Sequence, residues 1–377
     1  MTATTRTVEC TADATLWLAF ELGSTKWTLG FTVGAAQRPR IRTISAGDLV
    51  TLAREIAAAQ TRFGLPAATP VRSVYEAGRD GFWLHRWLVT HGIDNIVVDS
   101  SSIEVKRRAR HAKTDRLDVR KLLEQLVRWA GGASRTWSVV HVPTAAAEDA
   151  RQLTREIATV GVDRTRVRNR IHGLLATQGV RLELTRHFAA RLATVQTGDG
   201  QPLPPGLRDR IAHEWAYLQS IETRATALAQ QRAAQIAHGT TRVAQIARAL
   251  QRLRAVGATS AALYSAELFG TRTFQNGRQV SALSGLAPVP YRSDQRVADL
   301  GISKTSRGDI RRVAIQGAWC WLRWQRQSAL TQWFERRFAA AGKRARRIGI
   351  VAVARKLLIA LWRFVDQGVI PEGAIVQ

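Results

Sequence analysis

Cysteine is nearly absent. The 377 residues include only Cys10 and Cys320, too few for a disulfide framework or a cysteine-based zinc centre, so a reducing cytoplasm is the expected compartment. Acids are scarce as well: 29 Asp and Glu stand against 56 Lys and Arg, a net charge of +27. Such an imbalance calls for a polyanionic partner. Nucleic acid is the first expectation, because neutralising phosphates releases counterions and drives binding. An anionic membrane surface is the second. An Arg-rich genome would explain Arg over Lys, but not the shortage of acids. Long apolar runs are missing too. The best stretch, Gly349 to Trp362, is broken by Arg355 and Lys356, which argues against a membrane span. Glu9 and Asp13 precede the first apolar run, which is wrong for a secretory signal. No phosphate-binding Walker loop occurs.

Enough is present to fold. Apolar residues make up 45% of the chain, sufficient for real cores, and the length suggests two or three domains. Positive charge is concentrated late: residues 251–377 hold 21 Lys or Arg against 7 Asp or Glu. No internal repeat or low-complexity tract stands out.

Periodicity predicts the elements. Two strands flank Gly23-Ser24 within 15–35, and a helix follows over Ala46–Phe63. Val71–Tyr75 reads as a strand, Asp80–His91 as a helix and Ile96–Val98 as a short buried strand. Asp115–Trp129 is a strongly amphipathic helix. This is an α/β layer pattern. From Thr144 to Leu250 the character turns to long helices. Ile157, Val160, Val167, Ile171 and Leu174 form a coiled-coil-like seam, with Arg155, Arg164, Arg166, Arg168 and Arg170 around it. The segment from Asp199 to Pro205 breaks the run, and a second helix is expected over about 207–250. Beyond it, two helices flank Gly257, Gly285–Thr305 reads as a loop, and helices are expected over about 308–328 and 343–366.

Four carboxylates stand where a metal-dependent nuclease would need them. Glu21 ends the first strand, Glu76 follows Tyr75, and Asp115 and Asp118 lie three apart on one helix face. Each alone has an ordinary explanation: Asp115 suits a helix start and Asp118 a first turn. Clustered acids repel, and a divalent cation is the usual reason to keep them together; oxygen ligands suit Mg²⁺ or Mn²⁺. The order strand-acid, strand-acid, helix-acid-acid is that of the ribonuclease H or RuvC-like fold. Just before the helix, Lys106, Arg107, Arg108, Arg110 and Lys113 form a basic segment that reads as a phosphate contact beside the acids, or more plainly as a solvated loop.

The segment Lys113-Thr-Asp-Arg-Leu-Asp-Val-Arg-Lys121 resembles a hallmark of the Piv-related DEDD insertion-sequence recombinases, the "one-ten" insertion-sequence family. Leu283-Ser-Gly-Leu-Ala-Pro288, then Ser293, then Gly301-Ile-Ser-Lys304 resemble it too, as does the ending Val351–Leu358 with Leu361-Trp362. The resemblance runs from Trp17 to about Gly368. It implies an α/β plus all-α chain: a RuvC-like (ribonuclease H-like) domain over 1–135, a coiled-coil helical hairpin over 136–250, and a mostly helical C-terminal transposase domain over 251–377. It assigns Glu21, Glu76, Asp115 and Asp118 to a Mg²⁺-binding catalytic site, with Mn²⁺ as a substitute. It makes Ser293 the nucleophile. The implied partners are double-stranded donor and target DNA, a structured bridge RNA that pairs with both, and further copies of the chain. Family members are dimers that pair into tetramers, the serine of one subunit completing the acidic site of another. The implied setting is a prokaryotic nucleoid. Three features depart from the family pattern: the first acid is usually Asp and is Glu21 here, the serine is usually followed by Gly but here by Asp294, and the stretch Thr-Ser-Arg-Gly-Asp309 after Lys304 is slightly longer than the pattern.

A serine needs activation or an activated target. Arg292, Arg296, Lys304 and Arg312 are near Ser293 in sequence and would stabilise a charged phosphoryl transition state. The bland alternative makes Ser293 a turn residue. Leu253–Gly270 faintly resembles a helix-hairpin-helix, on the strength of Gly257 alone. Trp319, Trp321, Trp324 and Trp333 suit base stacking, although packing of an amphipathic helix is the commoner use. Three functions compete: an RNA-guided DNA recombinase working through phosphoserine, a RuvC-like two-metal nuclease with a structural Ser293, and a non-catalytic nucleic-acid-binding protein.

Overall fold

The first apolar run, from Leu16 to Phe20, is continuous rather than alternating, as suits a strand covered on both faces. It forms β1 (Leu16–Leu22), which turns at Gly23 into β2 (Lys26–Thr32). The structure is a computed structural model. It describes residues 14–34, 37–103, 115–133, 136–293, 296–303 and 308–377, with side chains for all but 290–293 and 296–300. Next comes β3 (Arg40–Ser45), which periodicity did not predict. Its two isoleucines explain why: Ile41 packs on one face of the sheet and Ile44 on the other, so no single-face alternation is visible. The Arg-rich strand lies at the sheet edge, where charge discourages further pairing.

Helix α1 (Leu49–Arg62) starts three residues later than expected. Gly47 has a left-handed φ of 80°, and Asp48 caps the helix by accepting from the Thr51 amide at 2.9 Å. After β4 (Val71–Glu76) comes α2 (Trp83–Thr90). The expected start at Asp80 is displaced because Gly81, with φ of 66°, cannot be helical. The first unit continues with β5 (Asp94–Val98) and α3 (Asp115–Ala130). The sheet order is β3-β2-β1-β4-β5. The first three strands are antiparallel, and β1, β4 and β5 run parallel. That is the RuvC-like arrangement, an α/β layer joined in sequence to a mostly helical remainder.

The two faces of this sheet carry separate cores. Leu16, Leu18, Phe20, Val71, Tyr75 and Val97 point to the side that also buries Leu52, Ile56, Leu84 and Leu88 of α1 and α2. Ala19, Val74 and Val98 point to the other side, against Val119, Leu122, Leu123 and Leu126 of α3. The close approach of α3 requires Gly30. A Cβ there would sit 2.7 Å from Val119 Cγ1.

The chain divides into compact units at Val142 and Pro143. The second unit begins with α4 (Ala145–Asp149), α5 (Gln152–Ala176), α6 (Phe188–Thr194) and α7 (Pro205–His238). Val160, Val167, Ile171 and Leu175 of α5 pack with Ile211, Leu218, Ile221 and Leu228 of α7. Leu175 rather than the expected Leu174 is fully buried, and Leu174 packs at the margin of the same core. Ion pairs Glu156–Arg224, Arg168–Glu222 and Arg170–Glu214 fix an antiparallel hairpin, numbers rising on one helix as they fall on the other.

The second long helix stops earlier than expected. Gly239 interrupts it, and Thr241 caps α8 (Arg242–Gln251) through the Ala244 amide. Then come α9 (Ala258–Tyr264), a π-helical turn over Ser265–Phe269, and α10 (Gly277–Leu283). Gly285–Thr305, expected as a loop, contains a β-hairpin of β6 (Pro288–Ser293) and β7 (Arg296–Ile302). Two prolines and a register shift between them hid the strand signal. The chain ends with α11 (Gly308–Trp324), α12 (Ala329–Phe338) and α13 (Lys343–Gln367). The helix expected to 328 ends at Trp324, and α12, which periodicity did not predict, begins after Ser328, whose side chain caps it at the Thr331 amide. Leu250, Leu253, Ile310, Trp321, Phe334 and Leu357 share this unit's core. Among the described residues no helix is long and apolar enough to cross a membrane.

Candidate functional site

Period-two alternation decides where the strand acids point. Trp17, Ala19 and Glu21 share one face of β1, and Arg72, Val74 and Glu76 the same face of β4. Ala19 and Val74 lie in the core that α3 covers. Phe20 pairs with Tyr75 across the parallel ladder, so Glu21 and Glu76 are the next residues on neighbouring strands. Both are half-buried and line one cleft of 270 Å³ with Asp80 and Ser100. The Tyr75 hydroxyl donates to the Gly81 carbonyl at 3.1 Å and ties the 77–81 loop to the cleft floor.

The helix acids continue the same side. Asp115 and Asp118 are one turn ahead of Val119 and Leu122, the residues with which α3 meets the sheet. Asp115 is exposed at the start of the helix, and Asp118 is half-buried. One carboxylate oxygen of Asp118, Oδ2, is buried without a hydrogen-bond partner among the described residues. A buried acceptor left unsatisfied is costly unless something occupies it. In chemical kind the set fits a hard dication: four carboxylates, no sulfur, one orphaned oxygen. In assembly it is incomplete. Among the described residues no three potential ligands converge closely enough to hold a metal ion, and only Glu21 and Glu76 of the four line the cleft. Asp80, four residues beyond Glu76, is the cleft carboxylate that sequence reasoning treated only as a helix start.

The basic segment Lys106, Arg107, Arg108, Arg110 and Lys113 lies outside the described residues, as does Lys304. Ser293 is the last residue of β6 and pairs with Arg296, the first of β7, so the serine stands in a hairpin flanked by Arg292 and Arg296 rather than in an open loop. Arg312 is exposed on the second turn of α11. The acids belong to the first compact unit and Ser293 to the second.

Several cations that decorated the arm in sequence have partners. Arg155 binds Glu267 through Nε at 2.8 Å and Nη2 at 3.3 Å. Arg166 pairs with Asp163, Arg168 with Glu222 and Arg170 with Glu214. Of the five, Arg164 has no ion-pair partner among the described residues. The tryptophans divide as well. Trp321 is fully buried, its Nε1 donating to Ser328 Oγ at 2.9 Å. Trp333 is partly packed on the core, with the Lys356 ammonium 4.8 Å from its ring centre. Trp319 and Trp324 are exposed.

Residues 247–334, spanning α8 to most of α12, match the transposase IS116/IS110/IS902 family. Over 96% of its length the chain is 36% identical to "Putative transposase y4rJ" of Sinorhizobium fredii, covering 94% of that protein. It is 26% identical to "Putative transposase y4qE" of the same organism, across 76% of this chain and 73% of that one. Likeness over nearly the full length, with a fold whose first unit carries its acids on one side of a RuvC-like sheet, is more than a shared module: the chain belongs to the IS116/IS110/IS902 family of transposases.

Proposed function

We propose that this transposase is an RNA-guided DNA recombinase that cleaves and rejoins strands through a phosphoserine at Ser293, supported by a divalent cation in the acidic cleft. The observation that carries the reading is the convergence of Glu21 and Glu76, from adjacent parallel strands, on one cleft of the face that bears Asp115 and Asp118. Glu21, Glu76, Asp115 and Asp118 would hold Mg²⁺ or Mn²⁺, with Asp118 Oδ2 as the acceptor in want of a partner. Such an ion supplies charge stabilisation to a phosphoryl transition state.

The remaining chemistry belongs to the chain. Ser293 Oγ forms a bond to phosphorus and the P–O3′ bond breaks. The hydroxyl proton is lost, and the departing 3′ oxygen gains one. The DNA is left joined to serine through its 5′-phosphate. Attack by another 3′-hydroxyl reverses these changes on a new strand. Ester energy is conserved, so no nucleotide triphosphate is consumed. Arg292 and Arg296 beside Ser293, with Lys304 and Arg312, would bind the phosphoryl oxygens. Lys106, Arg107, Arg108, Arg110 and Lys113 would contact nucleic-acid phosphates. A structured RNA bound by the same protein would choose donor and target duplexes, and the working assembly would be a dimer paired into a tetramer.

A non-catalytic nucleic-acid-binding role has one observation in its favour, the absence of three converging metal ligands among the described residues. Denaturing the protein in mid-reaction with its co-purifying RNA and a duplex substrate separates the readings. The wild type is expected to carry DNA on the peptide containing Tyr291–Arg296, and Ser293→Ala to bind RNA and DNA normally without an adduct or recombinant product. An adduct on Tyr291, or recombination by Ser293→Ala, would overturn the assignment. Metal-dependent nicking without an adduct would point to a nuclease, and neither product to a binding protein.

A further inference from the structure

Two arginines and a tryptophan in the C-terminal unit form an arrangement that catalysis does not use. Arg254 lies in the turn between α8 and α9, and Arg323 and Trp324 end α11. The Arg254 guanidinium is 5.3 Å from the centre of the Trp324 ring, and that of Arg323 is 5.2 Å away. Trp324 is 46% exposed, and both arginines are exposed. Neither guanidinium has an ion-pair partner among the described residues, unlike most of the arm's named arginines. Arg252 and Arg326, also exposed, extend the positive patch.

The scaffold beneath is rigid. Gln325 is fully buried and spends its whole side chain on two backbones. Its Nε2 donates to the carbonyls of Arg254 (2.8 Å) and Ile375 (3.1 Å), and its Oε1 accepts from the Ile375 amide at 2.7 Å. The Arg254 amide donates to the Ile375 carbonyl as well. The turn itself holds Ala255 at a φ of 79°, a left-handed conformation a non-glycine residue adopts only when its surroundings impose it. The backbone carrying Arg254 is thereby fastened to the end of α11, the source of Arg323 and Trp324.

An aromatic face under a guanidinium attracts the cation and leaves its planar N–H edge pointing outward. Two such edges, ordered in advance and without carboxylates, match the forked geometry that phosphate oxygens accept. We propose that Arg254, Arg323 and Trp324 form a phosphate clamp that grips a nucleic-acid backbone away from the cleaved bond, with Trp324 as the shelf that orders both cations. The clamp rests on the reading that this protein binds nucleic acid. Its ligand is the phosphodiester, whether of duplex DNA or of RNA.

Salt dependence of binding tests it with the full chain. Affinity for a duplex DNA oligomer and for a single-stranded RNA is measured across salt concentrations for three proteins. These are the wild type, Arg254→Ala/Arg323→Ala, and a control, Arg62→Ala/Arg208→Ala, that removes the same charge from exposed positions elsewhere. Losing two phosphate contacts should lower the log–log salt slope by about 1.8 on duplex or about 1.4 on a single strand. At about 0.1 M salt that corresponds to roughly 60-fold or 25-fold weaker binding, extrapolating both lines to a common 1 M value. Trp324→Leu, which keeps both charges, should bind several-fold more weakly with little change in slope. A drop confined to DNA, or confined to RNA, identifies the strand that is gripped. Slopes on both ligands equal to those of the control pair would overturn the clamp, as would full affinity in Trp324→Leu. A wild type that binds neither ligand would instead sink the nucleic-acid reading on which the clamp rests. Unchanged thermal unfolding of each variant shows that the fold has not moved.

Discussion

Glu267 is the buried charge whose removal should be felt most. It lies on the π-helical turn after α9, 3% exposed, and is gripped by Arg155 in a two-bond fork. Arg151, itself 5% exposed, stands 3.8 Å away. Glu267→Gln preserves shape and removes the charge. Breaking a buried ion pair from one side costs about 3–5 kcal/mol, because the remaining charge is stranded. The two arginines differ here. The Arg155 side chain is 47% exposed and can return to water, whereas that of Arg151 is 6% exposed and cannot. Because Arg155 regains water and Arg151 does not depend on Glu267 alone, the expected loss sits at the low end, about 3 kcal/mol. For a unit of this size that lowers the melting temperature by roughly 6–12 °C. Calorimetry of the full chain reads the shift. Hydrogen exchange at α9 and the first turns of α5 should show that protection is lost where the triad joins the arm to the core. A shift below about 0.5 kcal/mol in Glu267→Gln would refute the reasoning, because it would mean that the buried Glu267 charge contributes nothing to holding the two arginines.

Mg²⁺ should raise the melting temperature of the wild type and not that of Glu76→Gln/Asp118→Asn; equal shifts in both proteins would remove these acids from metal binding. Without metal, Asp118→Asn should be neutral or stabilising, because it relieves a buried, unpartnered carboxylate oxygen, and chemical denaturation checks this. Gly30→Ala should destabilise by about 1–3 kcal/mol, since its methyl collides with Val119 on α3, and a denaturation midpoint equal to that of the wild type would contradict the close packing. Ala255→Gly should stabilise by about 0.5–1 kcal/mol by relieving a left-handed φ, seen as a higher midpoint at an unchanged slope. Burial, and then the neighbouring Arg86, hold the His85 pKa below its ordinary 6.5. The unfolded chain therefore binds the proton more readily, so stability should fall as pH drops below about 6.5, and His85→Gln should flatten urea midpoints across that window.

Much was legible because it depends on local periodicity. The strand-acid, strand-acid, helix-acid-acid order put Glu21 and Glu76 on strands and Asp115 and Asp118 on a helix, as they are found, since alternation along a strand and a three-residue step along a helix decide which side chains share a face. The amphipathic stripe of α3 and the seam of the arm were visible for the same reason, and the charge imbalance announced a polyanionic partner without any fold. Other features needed tertiary structure. β3 divides its isoleucines between two cores, and β6 carries two prolines, so neither shows the pattern of a strand until its partner is in place. The pairing of arm arginines with Glu214, Glu222 and Glu267 joins residues 44 to 112 positions apart, which no local reading connects. Trp321 and Trp324 are three residues apart on one helix, yet one is sealed in the core and the other lies under two guanidiniums. Composition determined that this protein would meet phosphate; burial and long-range pairing decided which of its cations remain free to do so.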